Sequence, residues 1–332
     1  MARRLLDLVI SVRDLLAAVV VAIVLAPIWF LPWRPACWLA RRYGFIAFVF
    51  WGEERRAGMI NLRRSYGVSM SRHEARRSIA IVFSNLARSI AEAMQFVHRF
   101  GRGEEWRTIY RLEDPDLAQR ILDDPRPKIF ATAHLGSWEV TTLILQRALG
   151  SGAGIARRID NRWLDRLVKA VRLDDPSQWI EKRGGAAEAL RRLRNGQSVV
   201  MLVDENGGWR GPFVEFFGRP ASTRKTPALL SLLTGAPIVV GAAIRDESAP
   251  QPAFIFRLAM IDAAAEDLTQ PDSLIPLTAR IQAILEAWIR ETPRQWRWIH
   301  WRWRTRSDGS AERYTRRDLD EAFASPAPPP SL

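Results

Sequence analysis

The 332-residue chain carries one cysteine, Cys37, which excludes an intramolecular disulfide framework and any cysteine-rich zinc module. Acidic residues are in deficit: 36 Asp and Glu face 49 Lys and Arg, a formal net charge of +13. Such a surplus asks for an anionic partner, whether nucleic acid, a phospholipid surface or an acidic carrier protein. Tyrosine is scarce, four against fourteen tryptophans, and Trp combined with Arg is what a membrane interface favours. What is present in quantity is core material. Hydrophobic residues make up 48% and charged residues 26%, which excludes wholesale disorder, and the length suits one large α/β domain or two modest ones. Two classes remain, a membrane-associated enzyme and a nucleic-acid binder.

The first fifty residues favour the membrane. Leu15 to Trp33 is a run of nineteen residues without a charge, just long enough to cross a hydrocarbon core, with Pro27 and Pro32 expected to bend or shorten it. The run is long for a signal peptide, and no small-x-small cleavage site follows it cleanly. It is read as an uncleaved anchor, with a cleaved signal and a buried core helix as the alternatives. Arg3, Arg4 and Arg13 precede it, whereas Arg34, Arg41, Arg42, Arg55, Arg56, Arg63 and Arg64 follow. The positive-inside bias therefore places the bulk of the chain on the cytoplasmic side. A second apolar patch, Phe45 to Trp51, is too short to span and is expected to lie in the interface.

Beyond the anchor the pattern is helical and then alternating. Ser71 and Glu74 form a capping-box signature, and Ile79, Phe83, Leu86, Ile90 and Val97 recur at helical spacing to about Arg99. Short apolar runs at 128–133, 154–157, 198–203, 237–244 and 254–260 read as strands. Helical stretches at 140–149, 163–172, 186–194 and 226–233 separate most of them, and a last amphipathic helix spans about 277–290. This alternation predicts an α/β fold: a mainly parallel central sheet flanked by helices, behind a helical N-terminal region and an N-terminal membrane-anchoring helix. The expected division is an anchor at 1–34, a catalytic domain at 35–310 (helical to about 125, α/β after it) and a C-terminal segment at 311–332. The segment ends in a disordered Pro-rich tail, 325–332.

The chemistry centres on His134. The strand Ile129 to Ala133 ends in His134, with Glu139 five residues on at the start of a helix. Open α/β sheets place their ligand crevices at the carboxyl ends of parallel strands, and an imidazole there can take a proton from a hydroxyl. Glu139, one helical turn away, is expected to hold the other ring N–H and stabilise the imidazolium. The competing reading is a strand-end histidine beside an unrelated helix glutamate. No second histidine sits at ligand spacing, so no metal is assigned. Gly150, Gly152 and Gly154 lead from a helix into a strand, the reverse of a dinucleotide loop. The run Trp296, Trp298, Trp301 and Trp303, interleaved with Arg297, Arg302 and Arg304, has three readings: a base-stacking platform, an interfacial belt or a packed structural element.

Several of these segments, in this order, resemble one family. His134 to Glu139 resembles the H-x-x-x-x-[DE] motif of the glycerolipid acyltransferase superfamily, and more narrowly the late (lauroyl/myristoyl) acyltransferases of lipid A biosynthesis. Arg157 and Asn161 match that family's Tyr-Arg-Pro-x-x-Asn block, with Ala156 and Arg158 in place of its Tyr and Pro. Asp204-Glu205 is similar to its strand-end Asp-Gln pair. The segment 213–223, ending in Thr223, resembles P-x-x-F-F-G-x-P-A-x-T, and 293–300 resembles its terminal P-x-Q-W-x-W-x-H-R-R, with Trp301 at the first Arg position. The family match shifts the tryptophan run towards the belt and packed readings and makes His300 structural.

The resemblance implies a cofactor-free O-acyltransferase at the cytoplasmic face of a bacterial inner membrane. It would move a fatty acyl chain from an acyl thioester to a hydroxyl of an anionic glycolipid, a lipid A precursor, and would bind no nucleic acid. Acyl-carrier protein is the expected donor, since a basic face suits an acidic carrier, and acyl-CoA is the other. His134 and Glu139 are the expected catalytic pair. Arg157 is assigned to the developing oxyanion or a substrate phosphate, and Asp204 to positioning substrate or an arginine. Asn161, Arg183 and Thr223 complete the expected substrate contacts. The alternatives are an acyltransferase for another glycolipid or an aminolipid, and a non-catalytic basic membrane-binding protein on the same fold.

Overall fold

The computed structural model describes residues 2–324 except 68–69, 102, 104, 150–152, 157–158, 173–178, 182–183, 250–252 and 265–269. Four helices come first: α1 (Ala2–Phe30), α2 (Trp33–Phe50), α3 (Gly52–Tyr66) and α4 (Arg72–Phe100). Strand β1 (Tyr110–Leu112) and helix α5 (Pro115–Asp123) lead into the α/β part. There the order is β2 (Ile129–Thr132), α6 (Trp138–Leu149), β3 (Ala153–Ala156), α7 (Arg162–Arg172), β4 (Trp179–Glu181), α8 (Gly185–Arg194) and β5 (Val199–Leu202). A hairpin of β6 (Phe213–Phe216) and β7 (Arg219–Ser222) follows, then α9 (Thr226–Thr234), β8 (Ile238–Arg245), β9 (Phe254–Ile261), α10 (Leu274–Glu291) and α11 (Arg316–Ala324).

The main sheet runs β1-β9-β8-β2-β5-β3-β4. Five neighbouring strands, β8, β2, β5, β3 and β4, are mutually parallel, while β9 is antiparallel to β8 and parallel to β1. The central strands β2, β5 and β8 are apolar except for Thr132 and Arg245 at their carboxyl ends, because both faces are covered. In β2, Ile129 and Ala131 face one core with α3, α9 and α10, while Phe130 faces a second with α6 and the C-terminal half of α4. The expected mainly parallel sheet is therefore present. The very short strands β1 and β4 and the hairpin β6–β7 escaped the sequence pattern.

The N-terminal region follows its capping and spacing signals. Ser71 caps α4, its side chain accepting from the Glu74 N–H while Glu74 accepts from the Ser71 N–H at 2.9 Å. Helix α2 lies so close to α4 that a Cβ on Gly44 would stand 2.4 Å from the Phe83 carbonyl oxygen. Helix α1 runs through Pro27 to Phe30, and Pro32 opens α2 instead of kinking α1. Ser11–Phe30 is long and apolar enough to cross a membrane, and Leu16, Val20 and Ile23 are each at least 60% exposed. Trp33, expected to close the anchor, is buried in α2. The Phe45–Trp51 patch forms the end of α2, with Phe45, Ile46, Val49, Phe50 and Trp51 exposed and Phe48 buried.

The segment after 310 is part of the folded body up to Ala324. Tyr314 and Leu319 join the main core, and Arg63 of α3 donates to the Ala322 carbonyl of α11 at 3.0 Å. The Pro-rich stretch 325–332 lies outside the described residues.

Candidate active site

His134 and Asp204 meet because of strand register. Strands β2 and β5 pair with Thr132 opposite Leu202, so two residues further on His134 stands opposite Asp204, beyond the carboxyl ends of both strands. Asp204 Oδ1 lies 3.0 Å from His134 Nδ1, and Oδ2 accepts the His134 backbone N–H at 2.9 Å. Trp296 Nε1–H adds a third bond to Oδ2 at 2.8 Å. Burial of Asp204 would raise its pKa, yet His134 and these donors hold it well below the usual carboxylate range. An ionised carboxylate only accepts, so Nδ1 carries the proton. The other ring nitrogen, Nε2, lies 3.2 Å from Arg297 Nη1, and a guanidinium only donates. Both neighbours therefore select one neutral tautomer, with its lone pair on Nε2.

The loop after His134 is braced from three sides. Gly136 has φ +60°, and a Cβ there would stand 2.1 Å from the Ala243 carbonyl oxygen, so only glycine fits between this turn and β8. Its N–H donates to Gln295 O at 3.0 Å, its carbonyl accepts from Ser89 Oγ at 3.1 Å, and Ser137 N–H donates to Ala243 O at 2.9 Å. Beneath lies a fully buried ion pair: Arg245 Nε to Glu92 Oε1 at 2.8 Å and Arg245 Nη2 to Glu92 Oε2 at 2.8 Å. Arg245 Nη2 also donates to Ser89 Oγ. A salt bridge buried on that scale orients groups more than it adds stability, and here it orients the residues that hold the loop.

Glu139 occupies the first turn of α6 and is buried. Its Oε1 accepts from Trp138 Nε1 at 3.1 Å, and the Trp138 ring lies 5.5 Å from the His134 ring. The expectation that Glu139 holds the second imidazole nitrogen is corrected here: the in-register strands put Asp204 at that nitrogen. Thr223, expected to touch substrate, is fully buried; its hydroxyl donates to Ala221 O at 2.8 Å and accepts from Arg302 Nη2 at 2.7 Å. Asn161 caps α7, its carbonyl accepting from Trp163 and Leu164 N–H groups at 2.9 and 3.1 Å. Its amide donates to Asp14 O of α1 at 2.8 Å, so both ends join protein to protein. Arg157 and Arg183 lie outside the described residues.

The tryptophan run packs inward. Trp296, Trp298 and Trp303 are at most 2% exposed and stack among Phe216, Phe217 and each other, with Trp296 and Trp298 centroids 4.6 Å apart. Rings enclosed in this way offer no face to a base. Arg302 is buried with them, donating to Ser222 O, Thr223 Oγ1 and Gln282 Oε1. His300 Nε2 accepts the Asn206 N–H at 3.1 Å; burial first, then the charge of Arg297, pushes its pKa down to about 4. Neutral and used as an acceptor, it supports the turn after Asp204. Arg297 is the residue that sequence reasoning passed over. No strand period marks it: the chain turns at Arg297, with Trp298 N–H donating to Trp296 O at 3.0 Å, and that turn sets its direction.

Residues 10–305 match the family described as bacterial lipid A biosynthesis acyltransferase. The chain belongs to that family. The protein is thus an acyltransferase of lipid A biosynthesis, and the family carries an acyl donor and a lipid acceptor. The N-terminal apolar helix of this acyltransferase is consistent with membrane association. No curated protein matches the sequence. Among solved structures it is similar to the 1-acyl-sn-glycerophosphate acyltransferase PlsC from Thermotoga maritima, at 16% identity and a TM-score of 0.37. That likeness covers 80% of this chain and 99% of the other, and at such a score it supports no argument about mechanism.

Proposed function

We propose that the acyltransferase moves a fatty acyl chain from an acyl thioester to a hydroxyl of an anionic lipid A precursor, with His134 as general base and Asp204 as its orienter. The observation that carries this is the chain from Trp296 through Asp204 to His134, which leaves the basic lone pair on Nε2 at the carboxyl ends of the parallel strands. Nε2 takes the proton of the acceptor hydroxyl as its oxygen attacks the acyl carbonyl carbon. The imidazolium so formed is stabilised by the ionised Asp204, and the proton then passes to the departing thiolate as the C–S bond breaks. No protein nucleophile is required. Glu139 acts at one remove, by fixing the Trp138 indole against the His134 ring. Arg157 is proposed for the oxyanion or a substrate phosphate on the strength of its motif, and Arg183 for a phosphate. With Asn161 and Thr223 engaged elsewhere, their part is to hold α1 to α7 and Arg302 to the hairpin.

The donor is proposed to be acyl-carrier protein in preference to acyl-CoA, because a chain of net charge +13 suits an acidic carrier. The setting is the cytoplasmic face of the inner membrane, supported by the arginines after α1 and the exposed aromatic end of α2. The test is acyl transfer by purified protein from acyl-carrier-protein thioesters to a Kdo-lipid A precursor, beside His134→Ala. Product from the wild type alone supports donor, acceptor and base together. Equal activity in His134→Ala removes the mechanism, and product only with another glycolipid or an aminolipid reassigns the acceptor.

A further inference from the structure

We propose that Arg297 makes the base responsive to the charge of the acceptor: at rest it covers the His134 lone pair, and it leaves for the anionic group of a bound phosphorylated lipid. This rests on the reading of His134 as general base. The argument begins with a conflict. Arg297 Nη1, 3.2 Å from Nε2, donates to the same lone pair that must receive the hydroxyl proton, and one lone pair cannot serve both. Arg297 therefore moves before transfer begins.

The surroundings are built for that movement. The Arg297 backbone is fixed, its N–H donating to His134 O at 3.1 Å and its neighbours Trp296 and Trp298 buried. The side chain is one-third exposed, and its ion pair with Glu205 Oε1 is 3.5 Å long. Glu205 Oε2 is already occupied by Arg224 Nη2 at 3.0 Å. Asp204 is engaged by His134 and Trp296, and His300 by Asn206. Arg297 is thus held to the site by one ring nitrogen and one long carboxylate contact. A phosphate offers a guanidinium two charge-assisted bonds in matching geometry, which outcompetes that pair.

The consequence is selectivity between the acceptor and water. Water bound where the acceptor hydroxyl belongs could add to the acyl carbon by the same steps, with the C–S bond breaking, the thiolate taking the proton and free fatty acid formed. Water brings no anion and leaves Arg297 on Nε2, so the thioester survives until a phosphorylated acceptor arrives.

The experiment follows thioester hydrolysis without acceptor, and transfer to phosphorylated and dephosphorylated acceptors, for wild type, Arg297→Ala, Arg297→Gln and His134→Ala. Inorganic phosphate is the probe of the anion response. Uncovering the base should raise hydrolysis by Arg297→Ala and Arg297→Gln about tenfold, while preference for the phosphorylated acceptor falls. Inorganic phosphate should accelerate hydrolysis by the wild type, an arm that needs no variant, and leave Arg297→Ala unchanged. Parallel loss of hydrolysis and transfer in both variants, or a wild-type rate indifferent to phosphate, would overturn the role of Arg297. Undiminished hydrolysis and transfer by His134→Ala would overturn the base itself, a result distinguishable from either.

Discussion

Asp204 faces the His134 imidazole because their strands are parallel, adjacent and in register, with Thr132 opposite Leu202 and each functional residue two positions beyond. The pair is separated by seventy positions in sequence, yet its geometry follows from sheet pairing alone. Three donors converge on the buried carboxylate, and the acceptor-only Asp204 on one side and the donor-only Arg297 on the other select the tautomer with its lone pair on Nε2.

Asp204→Asn should lower kcat by about 10²–10⁴, since an amide can donate to Nδ1 and select the wrong tautomer. Glu139→Gln, whose carboxylate reaches the ring through Trp138, should cost less. Steady-state acyl transfer by the two variants decides this. A larger loss in Glu139→Gln would restore Glu139 as the direct partner.

Gly136→Ala should destabilise the fold by more than about 2 kcal/mol, because the residue sits at positive φ and its Cβ would overlap a β8 carbonyl. Urea unfolding measures the change. A loss of a few tenths would mean that the loop can back away from β8, and activity would then be expected to survive.

Lowering the pH from 7 to 5 should reduce the melting temperature, and His300 should account for part of the fall. Burial and the nearby Arg297 charge depress its folded pKa to about 4, below its ordinary 6.5. Between those values the unfolded chain binds a proton that the folded one refuses. The stabilising contribution is therefore complete above about 6.5 and is lost as the pH drops towards 4. The depressed carboxylates Asp204 and Glu92 act only at lower pH, once the ordinary carboxylate range is reached. His300→Gln should flatten the melting curve between pH 7 and 5; identical slopes would show that His300 does not titrate this way.

Replacing Phe45, Phe50 and Trp51 together by glutamine should weaken binding to anionic phospholipid vesicles by about tenfold or more, and leave the melting temperature nearly unchanged. All three are at least 50% exposed on the protein, so their apolar area is free for the bilayer. Vesicle flotation reads the binding. Undiminished flotation would leave membrane attachment to α1.

Much of the fold was legible. The five short apolar runs at 128–133, 154–157, 198–203, 237–244 and 254–260 all became strands, and the Ser71–Glu74 cap opened the helix it announced. The three-residue strands β1 and β4 were not legible, since so short a stretch shows no period. The β6–β7 hairpin turns on Phe217 and Gly218, both at positive φ, and a bulky aromatic there is no ordinary turn signal. Among site residues, His134 was readable from its strand end. The contact of Asp204 with the imidazole, and the protein contacts of Asn161 and Thr223, were not legible, because a motif records a residue and not what it touches.

The sequence by itself determined the long apolar N-terminal helix, the basic surplus, the α/β alternation and His134 at the end of a buried strand. Each of these depends on composition or on periods within one element. Which carboxylate lies against the imidazole was decided only by the tertiary structure. Glu139 is near in sequence, but the start of α6 places its carboxylate on Trp138, whereas register across two parallel strands delivers Asp204. Arg297 reaches Nε2 for the same kind of reason: the packing of Trp296 and Trp298 on the core turns the residue between them towards the site.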